Sequence, residues 1–159
     1  ECRKRNIPIV SIPGPTALIS ALTVSGLPTD KFMFLGYPPE KSTHRIKLFL
    51  SIKSSWSPVT TYGVNSAIGS RSGMLSSHSL LQHDKSNSIN CTVIFYCAPH
   101  KLLQTVEDMK EVFGDIEIVI VRELTKIHEE VWKGKLSEAP NQFMDPKGEF
   151  VILFSNLLS

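Results

Sequence analysis

Cysteine is scarce in this chain, and long apolar stretches are absent. Its three cysteines, Cys2, Cys91 and Cys97, have a spacing that matches neither a disulfide framework nor, together with His100, a zinc site. We therefore expect a reducing compartment and no bound metal. No apolar run approaches the roughly 18–20 residues that cross a bilayer, so we expect no membrane partner.

The chain also lacks a strong charge of either sign, since its formal net charge at pH 7 is only +2. Such a charge is a weak argument for nucleic acid, and the basic clusters at residues 3–5 and 41–47 are explained more simply by a solvated surface. Hydrophobic residues make up 42% of the sequence, enough for the core of one domain, alone or with a piece of another. Because the chain opens on Glu1 without an initiator Met, we expect it to be the later part of a longer protein.

Hydrophobic periodicity predicts strands that alternate with helices, the pattern of an α/β layered domain. The predicted strands span residues 7–12, 32–37, 92–96, 116–121, 130–134 and 148–154. The predicted helices span residues 17–25, Ser42 to about Ile52, and the stretch between Pro99 and Gly114. Ser137 is predicted to cap a further short helix. The order of the strands within the sheet stays open.

Residues from about 52 to 91 differ in character from the rest of the chain. They are rich in Ser, Asp84 is their only acidic residue, and neither helical nor strand periodicity persists. This composition predicts a flexible insertion. Translated non-coding sequence and a lineage-specific loop both explain it, and an intron origin would make the source eukaryotic.

Four segments carry motifs that are specific in combination. They are Ile7–Leu27 with Pro-Gly-Pro-Thr-Ala, Phe32–Lys41, Val93–Leu103, and Val121–Leu136 with Arg-Glu-Leu-Thr-Lys-Ile-His-Glu-Glu, followed by Lys147-Gly148-Glu149. In this order they resemble the ribosomal RNA small subunit methyltransferase I family of the tetrapyrrole methylase superfamily. The resemblance covers everything except about residues 52–91.

The resemblance implies a class III methyltransferase of two α/β domains, with S-adenosylmethionine in the cleft between them. Residues 1–28 then correspond to a remnant of the N-terminal cofactor-binding domain, its last strand and helix, and residues 29–159 to the C-terminal mixed-sheet domain. The implied reaction is methylation of a cytidine ribose 2′-hydroxyl in small-subunit rRNA, usually by a homodimer. The implied address is the bacterial cytoplasm or, for a eukaryotic source, a plastid or mitochondrion, with the plastid favoured.

By the same resemblance, several segments line or approach the cofactor cleft. The corresponding residues are Gly14, Pro15, Thr16, Ala17, Tyr96, Cys97, Trp132, Gly134, Gly148 and Glu149. The family's earlier Gly-rich segments do not occur in this sequence, which predicts impaired catalysis by the chain alone. In addition, Cys97 stands where the family usually has Glu, so an acidic group is absent.

Methyl transfer from a sulfonium to a ribose hydroxyl requires alignment, exclusion of water and a group that helps to remove the hydroxyl proton. The groups of suitable type on the matched segments are His100, Glu123, Lys126, His128, Glu129 and Glu130. The identity of the base stays open, and a surface ion pair is the simpler explanation for each charged member alone. Phosphate contacts to RNA are predicted for Arg45, Lys47, Lys101, Arg122 and Lys126.

Two other functions stay open at this point. A tetrapyrrole-type small-molecule methyltransferase would keep the fold and change the acceptor, although the Arg-Glu-Leu-Thr-Lys run is typical of the rRNA branch. A non-catalytic fragment that only dimerises or binds RNA would agree with the missing segments. For the main hypothesis, we expect the Pro-Gly-Pro-Thr bend and the charged run after residue 121 to form opposite walls of one methyl-donor pocket.

Overall fold

The computed structural model describes residues 5, 14, 16–56 and 91–156. The helices are α1 (Ala17–Val24), α2 (Ser42–Trp56), α3 (Leu102–Phe113), preceded by a 3₁₀ turn at Pro99–Lys101, and α4 (Ala139–Gln142). The strands are β1 (Phe32–Phe34), β2 (Thr92–Cys97), β3 (Glu117–Arg122), β4 (Glu130–Lys135) and β5 (Phe150–Ser155). The strand predicted at residues 7–12 lies outside the described residues, as does Pro15.

The five strands form one mixed sheet in the order β1-β2-β5-β3-β4. β1 runs parallel to β2, whereas β5 pairs antiparallel with both β2 and β3, and β4 pairs antiparallel with β3. Every residue of the central strand β5 is buried. Its continuous apolar run is typical of a strand that is covered on both faces. The predicted mixed α/β fold is confirmed.

One face of the sheet, which we call the packed face, is covered by α2, α3 and α4. Phe154 lies at its centre, with ring centroids 6.3 Å from Phe95 of β2 and 5.1 Å from Phe113 of α3. Phe49 of α2 completes the cluster at 6.0 Å from Phe95. Because these aromatic side chains are large and closely packed, this face supplies most of the apolar burial.

A buried ion pair joins the two long helices above the packed face. Arg45 of α2 is only 1% exposed, and its Nε donates to Oδ2 of Asp108 on α3 at 2.6 Å. Ser42 donates to Oδ1 of Asp108 at 2.8 Å, and the carbonyls of Pro39 and Glu40 accept from Nη1 of Arg45. Neither charge is left without partners, which is the condition for burying an ion pair.

The opposite face of the sheet is covered by α1. Ala21 and Leu22 pack there with Ile94, Val119 and Leu153 from three neighbouring strands. Thr16 caps the helix, since its hydroxyl accepts from the N–H of Ile19 at 3.4 Å. Thus α1 packs on the same sheet as the rest of the described chain, and the domain boundary after residue 28 stays a prediction.

Several predicted element ends differ from the structure. Strand β1 ends at Phe34 and not at residue 37, and β5 begins at Phe150 and not at residue 148. Helix α2 continues four residues past Ile52 to Trp56, because Ile52 is buried and the Trp56 ring packs 5.4 Å from that of Phe113. The remainder of the predicted insertion, residues 57–90, lies outside the described residues. The prediction that Ser137 caps α4 is wrong, since its N–H and hydroxyl both donate to the carboxylate of Asp115 and the cap position is Glu138.

Candidate functional site

Family-matched residues from three separate segments meet at one edge of the sheet. Strands β2 and β3 end at this edge and β5 begins there, because Phe150 pairs with both Cys97 and Arg122. We call this the candidate edge, defined by Tyr96, Cys97, Arg122, Glu123, Gly148 and Glu149. In open α/β sheets, ligands bind outside the carboxyl ends of strands, so this edge is where a site is expected.

A pocket of about 160 Å³ lies at the end of β2. The rings of Tyr96 and Tyr37 are 5.5 Å apart, and Phe34 stands edge-on to Tyr96 at 4.9 Å. The residues that line this pocket include Tyr37, Pro38, Pro39, Tyr96, Cys97, His100, Lys101 and Thr105. The pocket therefore combines exposed aromatic surface with His100 and Lys101, two of the residues predicted from sequence.

The thiol of Cys97 is neutral in this pocket. Its side chain is buried, which raises the pKa of Cys97 to about 11, although a hydrogen bond with Thr105 and the charge of Arg45 act in the opposite direction. A neutral thiol is neither a nucleophile nor a metal ligand at physiological pH. Cys97 therefore offers a small apolar surface in place of the carboxylate that the family resemblance predicts.

A second pocket, of about 400 Å³, lies between the end of β3 and the start of β5. It is lined by Arg122, Glu123, His128, Asp145, Lys147 and Gly148. Five of these six residues carry ionisable groups, although most of the surface that lines the pocket is apolar. Arg122 is engaged by Glu130, whose carboxylate lies 3.4 Å from its Nε, and Asp145 pairs with Lys147 at 2.7 Å.

The segment after β3 is held in an unusual backbone conformation. Glu123 and Thr125 have positive φ angles of 49° and 65°, which residues other than glycine adopt rarely. The N–H of Thr125 donates to Oε2 of Glu129 at 2.6 Å, so the predicted base candidate Glu129 is occupied in stabilising the turn. Residues 127–129 are exposed to solvent, with Ile127 at 97%. This segment therefore projects away from the core.

Glu123, Lys126 and Glu149 form a polar cluster beside the larger pocket. Oε1 of Glu123 accepts from the N–H of Glu149 at 2.9 Å, and Nζ of Lys126 lies 3.2 Å from the same oxygen. The same ammonium lies 3.3 Å from Oε2 of Glu149. The hydrogen bond from the Glu149 N–H, followed by that from Lys126, lowers the pKa of Glu123, and the two carboxylates raise the pKa of Lys126.

Not all residues predicted from sequence lie at the candidate edge. Trp132 lies two residues into β4, where its ring packs at 5.7 Å against Phe143, and Gly134 pairs with Ile118 near the far end of β3. A side-chain carbon at Gly134 would collide with the Trp132 ring. In the described part of the chain, both residues therefore contribute to the packing around β4.

Burial disfavours the predicted contact of Arg45 with RNA phosphate. Its side chain is only 1% exposed and is bound to Asp108, although Arg45 is among the residues that line the smaller pocket, so the contact stays a prediction. Of the other predicted phosphate contacts, Lys47 is exposed on α2, whereas Lys101, Arg122 and Lys126 lie near the two pockets.

The Gly-Pro turn is only partly described. Gly14, Thr16 and Ala17 are exposed before and at the start of α1, and they line neither of the two pockets. Their place opposite the charged run therefore stays a prediction.

Sequence reasoning missed several residues that line the pockets, and Tyr37 and Asp145 are two of them. A signal was present in both cases. Tyr37 is an aromatic residue that stands between a glycine and two prolines in Gly-Tyr-Pro-Pro, and Asp145 opens Asp-Pro-Lys-Gly just before the last strand. Polar or aromatic residues in such turns beside strand ends are often exposed for binding.

Two classes of feature do not occur in the described part of the chain. Residues 16–56 and 91–156 contain no group of three or more His, Cys, Asp or Glu side chains arranged to hold a metal ion. Among the same residues, the helices are too short or too polar to cross a membrane.

No protein-family model matches this sequence. Individual relatives nevertheless align along nearly the whole chain. Ribosomal RNA small subunit methyltransferase I of Thermotoga maritima is 32% identical over 157 residues, which are 98% of this chain and 55% of that protein. The Synechocystis protein of the same name is 34% identical over 157 residues, which are 97% of this chain and 44% of the relative.

Along nearly its whole length, the chain is similar to members of the ribosomal RNA small subunit methyltransferase I family. It spans about half the length of the curated relatives it matches. The predicted resemblance to this family is therefore confirmed along this chain.

Solved structures agree with the family at the level of the fold. The methyltransferase CobJ superposes with a TM-score of 0.52 at 15% identity, over 91% of this chain and 49% of CobJ. Cobalt precorrin-4 methyltransferase, a cobalamin biosynthetic enzyme, superposes with a TM-score of 0.53 at 11% identity, over 95% of this chain and 54% of that enzyme's chain. Because the identities are low, these similarities establish a tetrapyrrole methylase fold and nothing about the acceptor.

Proposed function

We propose that this chain is part of an S-adenosylmethionine-dependent enzyme that methylates a cytidine ribose 2′-hydroxyl in small-subunit rRNA. The observation that carries the proposal is the meeting of three family-matched segments at the candidate edge, in a chain whose relatives are named for this rRNA. Residues 96–97, 122–123 and 148–149, which are 25 to 53 positions apart in sequence, come together there beside two pockets.

The candidate edge suits one part of the methyl donor. S-adenosylmethionine would supply an electrophilic methyl group, and Tyr37 and Tyr96 offer aromatic surface for its adenine. The volume of about 160 Å³ is small beside the roughly 300–1,000 Å³ of ordinary ligand pockets. We therefore assign the rest of the cleft to sequence outside the described residues, with Thr16 and its neighbours on the opposite wall. On this basis the isolated chain transfers methyl groups poorly.

The acceptor side of the reaction is assigned to the larger pocket and its rim. A ribose hydroxyl needs a group that accepts its proton, and His128 lies in this pocket at the end of an exposed segment. His100 lies in the smaller pocket and is the second candidate. Lys101, Arg122 and Lys126 place positive charge around both pockets, where RNA phosphates would be held.

The direct test is methyl transfer by the complete protein that contains this chain. We expect a tritiated methyl group to pass from S-adenosylmethionine to a cytidine ribose of small-subunit rRNA, and digestion of the product to locate it on the 2′-oxygen. Transfer to a tetrapyrrole instead would assign the protein to the small-molecule branch. Absence of S-adenosylmethionine binding by the complete protein, measured by calorimetry, would favour a non-catalytic role.

RNA binding is tested separately through its dependence on salt. Lys101→Ala should weaken RNA binding and reduce the slope of log affinity against log salt by about 1, as expected when one phosphate contact is lost. Lys110→Ala is the matched control, since Lys110 is an exposed lysine of α3 that lines neither pocket. Equal effects of the two substitutions would remove Lys101 from the RNA contact.

The proposal also includes a homodimer of the complete protein and a place of action where ribosomes are assembled. Sedimentation of the complete protein tests the first point, and a single species of monomer mass at micromolar concentration would contradict it. The expected places are the cytoplasm of a bacterium and, for a eukaryotic source, a plastid or mitochondrion. Microscopy of a tagged complete protein in the source organism tests the second.

A further inference from the structure

The antiparallel hydrogen-bond ladder between β3 and β5 is interrupted at Glu123. The register pairs Arg122 with Phe150, so the next pair along the two strands is Glu123 with Glu149. The N–H of Glu123 donates to the carbonyl of Glu149 at 3.1 Å, as a ladder requires. Its own carbonyl, however, is turned away into the following turn, where it accepts from the N–H of Lys126 at 2.9 Å.

The side chain of Glu123 replaces the missing main-chain acceptor. Its Oε1 receives the N–H of Glu149 at 2.9 Å, which would otherwise have pointed at the displaced carbonyl. The chain can therefore leave β3 at once, with φ of 49° at Glu123, without losing the hydrogen bond to the segment before β5. A backbone in this region persists only where the surroundings hold it in place.

Gly148 is fitted to the same carboxylate. Its φ is 92°, and a side-chain carbon built on it would overlap with Oε1 of Glu123. The Glu123 side chain therefore lies directly over the backbone of Gly148, and this carboxylate is one of the contacts between the two loops. Lys126 closes the arrangement by lying 3.2 Å from Glu123 and 3.3 Å from Glu149.

We propose that Glu123 is a positioning residue that locks the turn after β3 to the loop before β5 and so fixes a wall of the larger pocket, and that it is not the general base. The catalytic half of this inference rests on the proposed function. Glu123 and Gly148 line the pocket together with His128 and Arg122, so a shift of the lock moves that wall. A carboxylate that already accepts from an amide and an ammonium is also a poor acceptor for a further proton, in keeping with its lowered pKa.

The test compares Glu123→Gln with Glu123→Ala in the complete protein. Glutamine keeps an oxygen that can accept the N–H of Glu149, whereas alanine removes it. If Glu123 positions the pocket, Glu123→Gln should keep kcat within about fivefold of wild type, since the acceptor survives, while Glu123→Ala should raise KM and lower kcat/KM by about a hundredfold. If Glu123 were the base, glutamine would lose kcat as fully as alanine, by about 10²–10⁴, and the proposal would be overturned.

Hydrogen exchange tests the lock independently of catalysis. The amide of Glu149 should exchange at nearly the wild-type rate in Glu123→Gln and at least tenfold faster in Glu123→Ala, a loss expected for an unprotected loop amide. Unchanged exchange in Glu123→Ala would refute the lock even if the enzyme is active. If the wild-type protein transfers no methyl group but the two variants show the expected exchange rates, the proposed function is refuted and the contact between the two loops through Glu123 is still supported.

A double substitution supplies the second control. Gly148→Ala should destabilise the protein less in the Glu123→Ala background than in wild type, because the collision with the carboxylate is gone and only the backbone strain remains. Urea titration of the four proteins measures this difference. Strictly additive effects would mean that Glu123 does not lie over Gly148, contrary to the proposal.

Discussion

The packed face and the candidate edge are built from different interactions. On the packed face, Phe49, Phe95 and Phe154 are fully buried, and the ion pair between Arg45 and Asp108 is enclosed with them. At the candidate edge, the loops are joined mainly by exposed polar groups, such as a Glu149 side chain that is 81% exposed. Stability therefore comes mostly from the face, and the edge is free to carry strained turns and pockets.

Removing a central ring of the packed face should have the largest effect. Phe154→Ala leaves a cavity among Phe95, Phe113 and Trp56, so we expect it to lower the free energy of unfolding by about 3–5 kcal/mol. Urea denaturation followed by fluorescence measures the change. Phe34→Ala, at a residue that is 39% exposed on β1, is the control and should cost much less. Equal losses would mean that burial on the packed face does not give Phe154 its larger contribution to stability.

Breaking the buried ion pair should have the next largest effect. Asp108→Ala leaves the guanidinium of Arg45 buried without its carboxylate, so we expect a loss of about 3 kcal/mol in unfolding free energy. At the candidate edge, Glu149→Ala removes an exposed partner of Lys126 and should change stability by less than about 1 kcal/mol. Urea denaturation compares the two variants. A larger loss of unfolding free energy in Glu149→Ala than in Asp108→Ala would contradict the greater contribution of the packed face to stability.

Sequence analysis placed Trp132 and Tyr96 together at the cofactor, but we expect substitutions of these two residues to have different effects. Trp132→Ala should lower stability by about 2 kcal/mol, because its ring packs on Phe143, and should leave the Kd for S-adenosylmethionine unchanged. Tyr96→Ala should raise that Kd about tenfold through loss of aromatic contact at the pocket. Calorimetry on the folded complete protein distinguishes them. A weaker Kd for Trp132→Ala would extend the site along β4.

The smallest effect concerns thiol reactivity, which changes rates and not the fold. Because burial raises the pKa of Cys97 to about 11, its thiol stays protonated through pH 9, and the thiolate forms only as the pH approaches 11. We expect Cys97 to react with iodoacetamide at pH 8 at least tenfold more slowly than it does in urea-unfolded chain. Mass spectrometry of the tryptic peptide gives the rate. Rapid alkylation in the folded protein would show that the pocket opens.

The same titration has a consequence for stability. The folded state holds the Cys97 proton more tightly than the unfolded chain, whose thiol ionises near pH 9. Stability from this group is therefore complete below pH 9 and falls as the pH rises toward 11. A comparison with Cys97→Ala over this range isolates the contribution.

Local sequence predicted the elements whose side chains repeat regularly. The helix after Pro99 and the strands around Val93, Val119 and Ile152 are present where periodicity placed them. The end of α2 was missed because Trp56 is held by Phe113 and Phe154, which are distant in sequence. Ser137 was misread for the same reason, since its partner Asp115 lies 22 residues earlier.

The candidate site was predictable as a set of segments and not as an arrangement. The matched motifs identified Tyr96, Glu123 and Gly148, but nothing local says that these three residues meet at one sheet edge. For Arg45, local sequence indicated the wrong environment. A lysine or arginine in a basic helix is usually solvated, and only the contact of Arg45 with Asp108 reveals that its side chain is buried.

The sequence by itself determined the family, the alternation of strands and helices, and the groups available for chemistry, because these follow from residue types and their local spacing. Tertiary structure alone decided the strand order, the burial of Arg45, the packing role of Trp132 and the contact of Glu123 with Gly148. The physical reason is that each of these depends on partners far apart in the chain, brought together only when the apolar faces of helices and sheet are buried.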